Sequence, residues 1–144
     1  MYNAIEVAKY VISYCTDLGA PISNLKLQKI LYYLQVHYVK NGSVLFWEDF
    51  YAWQHGPVIP EVYYLFSGYG ASKIQNRYIT QIDRVTEVNI LPIIEKLRNI
   101  APWELVNMTH VQGGPWDMVY NKGIDTTGLI DKRLLLRDPT DLGV

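Results

Sequence analysis

Apolar residues recur along the first 20 positions at helical intervals. Ile5, Val7, Ala8, Tyr10, Val11, Ile12, Tyr14, Cys15 and Leu18 cover most of a helical surface, and Glu6, Lys9, Ser13, Thr16 and Asp17 fall in one narrow polar stripe. Asn3 followed by Glu6 forms a capping box, Tyr2 with Val7 a hydrophobic staple, and Gly19 a stop. A mostly buried helix over residues 3–18 is predicted, with Cys15 as a packing residue. After the break at Pro21, Ser23 provides a cap and Ile22 a staple against Leu27, so a second helix should run from Asn24 to Lys40 and end at Asn41-Gly42. Its apolar face carries Leu25, Leu27, Ile30, Leu31 and Leu34; opposite, Lys26, Lys29, Tyr33, His37 and Lys40 follow at steps of three and four. That stripe reads as a solvated helix face or as a contact surface for a partner.

The period changes between Val44 and His55. Phe50, Ala52 and Gln54 alternate with Tyr51, Trp53 and His55, the signature of a short half-buried strand, which Gly56-Pro57 should end. Pro60 opens a third helix through Val62, Tyr63, Leu65 and Phe66. Gly68 to Arg84 has no clear period and is expected to be a mobile loop or a region without a local signature. A helix over Thr86 to Asn99 follows, in which Pro92 either makes a kink or marks the true first turn. Pro102 starts another helix through Thr109, and Leu134 to Leu136 reads as a strand or a helical turn that Asp138-Pro139 should end. Together these elements predict a mainly helical α+β fold, a single domain over residues 1–144, with a small β element near Phe50 to Gln54.

Composition narrows the function classes. Thirteen Lys and Arg against fourteen Asp and Glu leave a net charge of −1, which argues against extensive contact with nucleic-acid phosphates. A single cysteine excludes an intramolecular disulfide, and Glu6, Lys9 and Asp17 interrupt any leader or membrane-spanning pattern near the N-terminus. A cytoplasmic protein is therefore expected. The chain is rich in rings, with 12 Tyr, 4 Trp and 3 Phe, and tyrosine serves core edges and protein interfaces alike.

No phosphate-binding glycine loop, nucleophile elbow, zinc helix or paired-cysteine motif is present. The spacing of His37, His55 and His110 matches no local metal-ligand pattern, so neither a metal nor a cofactor is expected. An enzyme would have to use His55, His110 or Asp117 in a cleft. Two segments are more specific: Trp53-Gln54-His55-Gly56-Pro57 and Thr109-His110-Val111-Gln112-Gly113-Gly114-Pro115-Trp116. Each sets a histidine shortly before Gly-Pro and near a tryptophan, a pattern suited to a sharp turn that holds a core together or meets a partner.

These segments resemble the Panacea antitoxin domain, the SocA-like family. The resemblance runs through Ile22-Ser23-Asn24-Leu25-Lys26-Leu27-Gln28-Lys29-Ile30-Leu31-Tyr32-Tyr33, then Ala52 to Tyr63 with Trp53, His55, Gly56 and Pro57, then Leu105, Thr109-His110 and Gly114-Pro115-Trp116. It implies an antitoxin found in prophages and mobile elements, binding a cognate toxin protein directly, without catalysis. Members of the SocA type also imply an alternative, an adaptor that delivers the toxin to the ClpXP protease. No direct nucleic-acid or membrane contact is implied, and the Lys26, Lys29, Tyr33, His37 and Lys40 stripe is the expected toxin-binding surface.

Overall fold

In the computed structural model, which describes residues 1–144, the chain orders as α1 (Ala4–Asp17), β1 (Ile22–Ser23), α2 (Asn24–Lys40), β2 (Phe50–Trp53), β3 (Gly56–Val58), α3 (Pro60–Leu65), β4 (Lys73–Ile74), α4 (Arg84–Arg98), α5 (Pro102–Thr109), α6 (Pro115–Tyr120) and β5 (Leu129–Ile130). A single 3-10 turn occupies Ser67–Tyr69 and a two-turn 3-10 segment Lys132–Arg137. The fold is mainly helical α+β, as the pattern predicts. No helix is long and apolar enough to cross a membrane.

Local signals placed the helix starts. The Asn3 side chain accepts the Glu6 amide at 2.7 Å, and Ser23 accepts that of Lys26 at 3.3 Å. Asp83 does the same for Thr86, so α4 begins two residues before the predicted start, and Pro92 sits inside it rather than opening it. Pro102 and Pro115 occupy first-turn positions of α5 and α6.

Helix α2 is the axis of the molecule. It packs against α1, α4, α5, β3 and the Lys132–Arg137 segment, and its residues from Leu27 to Val36 are all buried. A helix enclosed on every side cannot keep a purely apolar surface when loops cross it, because their backbone groups also need partners. Three amides supply them. Asn24 donates to the Tyr63 carbonyl at 3.1 Å, Gln28 accepts the Ile59 amide at 3.0 Å, and Gln35 accepts that of Leu45 at 2.8 Å while donating to the Phe46 carbonyl at 2.7 Å. The connections on both sides of β2 and β3 are thereby tied to one helix.

Strand β2 lies between β3 and β5, antiparallel to both, with Trp53 opposite Gly56 and Phe50 opposite Ile130. Gly56-Pro57 thus continues the sheet as the return arm of a hairpin rather than ending it. Between Gly68 and Arg84 the chain pairs β4 with β1, seating Ile74 in the core. Only tertiary pairing defines so short a strand, which is why no local period announces it. Leu134 to Leu136 lie within the second 3-10 segment.

Candidate functional site

The three sequence blocks meet where the β2–β3 hairpin crosses α2. Lys29, on α2, is fully buried and points its ammonium at the hairpin, donating to the Pro57 carbonyl at 3.1 Å. No carboxylate pairs with it, and burial lowers its pKa to about 7. Gly56 lies directly above. Its φ is +112°, and a Cβ there would stand 2.7 Å from Thr109 Oγ1 and 2.9 Å from Lys29 Cε. Glycine is therefore required twice, for backbone angle and for clearance. Thr109 is fully buried, its hydroxyl donating to the Val106 carbonyl at 2.7 Å.

The second turn closes the same region. The His110 ring stacks on Trp116 with centroids 3.7 Å apart, and Trp116 stacks on Tyr120 at 4.6 Å. Trp116 Nε1 donates to the Trp53 carbonyl at 2.7 Å, clamping α6 to the hairpin. Pro115 is buried beside it. His110 Nε2 is buried without a partner, and its pKa is lowered by burial first and then by the positive charges of Lys29 and His55. Asp117 accepts the Gly113 amide at 2.9 Å and the Asn121 amide at 2.8 Å, which fixes the turn and holds its carboxyl below the usual range. This arrangement joins α2, α5, α6 and the hairpin through stacked rings and single hydrogen bonds. Its chemistry is that of a clamp.

As an accessible face the α2 stripe needs correction at two positions, since Lys26 and His37 are half-buried and Lys40 is exposed. Lys29 and Tyr33 are buried, at 0% and 2% exposure. Lys26 donates to the Arg98 carbonyl at 2.8 Å, and Lys40 to the carbonyl of Asp138. Tyr33, His37 and Lys40 line a cleft that residues 139–142 of the C-terminal segment help to form. That segment is held by Asp138, whose carboxylate accepts from Tyr32 at 2.7 Å. One helical stripe is thus shared among three parts of the same chain. His37 lies against Tyr38, away from the hairpin, so the three histidines do not converge.

What the hairpin region does present to solvent is aromatic. Trp53 packs edge-on against Tyr63 at 5.1 Å and lies 5.9 Å from Tyr64, while His55 meets Trp103 edge-on at 5.0 Å. Tyr64, Trp103 and Trp47 are 64%, 58% and 55% exposed. Sequence reasoning passed over these three. A signal was there: Tyr63-Tyr64 sit side by side on a six-residue helix, so the two rings cannot share one direction.

Residues 27–117 match the family described as Antitoxin SocA-like, Panacea domain. The chain belongs to this family. The matched span contains Lys29, the hairpin and the Thr109–Trp116 turn, while Tyr120 and Asn121 lie just beyond it. Over 133 residues the chain is 33% identical to Antitoxin SocA of Caulobacter vibrioides (strain NA1000 / CB15N), covering 83% of this chain and 71% of that protein. No solved structure matches. Membership in this family supports an antitoxin role.

Proposed function

We propose that this protein neutralises a cognate toxin by direct protein–protein contact, without catalysis of its own. The observation that carries the reading is the ring surface outside the hairpin, where Trp47, Tyr64 and Trp103 stand more than half exposed beside Trp53, Tyr63 and His55. Trp and Tyr dominate the energetic centres of protein interfaces, because one rigid ring buries a large area at little entropic cost. Exposed rings of this number are expensive in water unless a partner covers them. The clamp beneath gives the surface a fixed shape, which lowers the ordering cost of binding. Lys29 and Tyr33 of the α2 stripe are left out of the contact surface because both are buried.

Co-expression tests the reading. The product of the adjacent open reading frame, expressed alone, should arrest growth; expressed with this chain, it should be harmless and co-purify as a stable complex. Rescue with disappearance of the toxin and no complex would replace sequestration with delivery to a protease.

A further inference from the structure

Part of the ring surface is a cleft that combines three rings, Trp47, Tyr51 and Tyr64, with three carboxylates, Glu48, Asp49 and Glu61. No basic side chain lines it. Two of the acids are engaged from the protein side: Glu48 accepts the Ala4 amide at 2.9 Å at the start of α1, and Asp49 pairs with Lys132 at 2.6 Å, whose ammonium also reaches the Trp47 carbonyl. Glu61 has no ion-pair partner and stands exposed in the first turn of α3, three residues before Tyr64, so that ring and carboxylate share one face. One cation against three carboxylates leaves the cleft strongly negative.

We infer that this cleft receives a lysine or arginine side chain from a basic segment of the toxin. The inference rests on the direct-binding reading above and gives it a site and a partner chemistry. Aromatic faces attract a cation through their quadrupole, and a carboxylate at the rim supplies the charge that guides it in. An anionic or purely apolar partner would leave Glu61 repelled or stripped of water without compensation. A second copy of this chain is a poorer fit, because a net charge of −1 gives it no overall attraction to a negative cleft.

The test is calorimetric titration of the purified toxin into the wild type and into Glu61→Gln, Glu61→Lys and Tyr64→Ala. Because Glu61 and Tyr64 are exposed, all three variants should melt with the wild type. Affinity should fall about tenfold or more for Glu61→Lys and for Tyr64→Ala, and less for Glu61→Gln, and wild-type binding should weaken as salt rises. Wild-type binding with every variant within about twofold would overturn the inference and leave direct binding standing. No binding by the wild type would overturn direct binding itself, and the inference with it. A wild type that dimerises through Tyr64, as judged by sedimentation of Tyr64→Ala, would assign the cleft to a second copy instead.

Discussion

The two sides of the β2–β3 hairpin use the same residue types for opposite ends. On the inner side, Lys29, Thr109 and Trp116 are buried, and Gly56 is packed so closely against Thr109 and Lys29 that an added methyl group has no room. On the outer side, Trp47, Tyr64 and Trp103 are more than half exposed to water. The inner side carries most of the residues by which the family is recognised; of the outer positions, Trp53, His55, Glu61 and Tyr63 fall in those motif blocks, whereas Trp47, Tyr64 and Trp103 do not. A recognisable motif here marks what the hairpin needs in order to stand, and the surface it supports is drawn from less conspicuous positions.

Truncation of the clamp should have the largest effect. Trp116→Ala removes a buried ring, its stacks on His110 and Tyr120 and its bond to the Trp53 carbonyl. It should cost about 3 to 5 kcal/mol in urea unfolding. Gly56→Ala should follow at about 2 to 3 kcal/mol, from strain at its φ and overlap with Thr109 and Lys29. Either variant behaving like a surface substitution would dissolve the contrast between the two sides.

Lys29 sharpens it through pH. The unfolded chain keeps this amine protonated up to its ordinary value of 10.5, whereas the folded chain releases the proton from about 7. The unfolded state therefore holds more protons above pH 7, and stability should rise with pH, approaching about 1.4 kcal/mol per unit. His110, also lowered, acts with the same sign below its ordinary 6.5. Above pH 9 the trend should flatten and then reverse. Burial raises the Cys15 thiol from 9.0 to about 11 and lifts the hydroxyls of Tyr32 and Tyr33, so there the folded state holds the extra protons. Lys29→Met should remove most of the slope between pH 7 and 9 and should not destabilise the protein at pH 6, where wild-type Lys29 is buried with its charge. Denaturant midpoints at pH 6, 7, 8 and 9 would check this.

The smallest effect on stability belongs to the outer side. Trp103→Ala, at 58% exposure and with one ring contact to His55, should cost about 1 kcal/mol of unfolding free energy, well below Trp116→Ala. Its effect on toxin affinity should be far larger than its effect on folding, and comparable losses in both would show that the ring serves the core.

The helices were legible because their starts are local. Asn3, Ser23, Pro60 and Pro102 need only their own neighbours to act, whereas α6 went unread because Pro115 looks like part of a turn. Strand β4 and the closing segment after Asp138 were not, since each is defined by a partner tens of residues away. The candidate site was half legible. The Trp53–Pro57 and Thr109–Trp116 segments do meet, but periodicity alone set Lys29 and Tyr33 on a polar stripe when both lie inside the molecule. Helical spacing says which residues share a face and nothing about how many faces are covered. A clue lay in composition: α2 contains no acidic residue, whereas an exposed helix usually mixes both signs. The outer rings escaped notice because twelve tyrosines and four tryptophans serve core and surface alike, and burial separates them only after folding.

The central claim, that the clamp serves the fold and the ring surface serves the toxin, is tested most directly by measuring toxin affinity and unfolding free energy side by side for Lys29→Met and Tyr64→Ala at pH 8. The account predicts that Lys29→Met binds the toxin within about threefold of the wild type, while Tyr64→Ala keeps the wild-type midpoint and loses about tenfold or more in affinity. Loss of binding in a stably folded Lys29→Met together with full binding by Tyr64→Ala would contradict it.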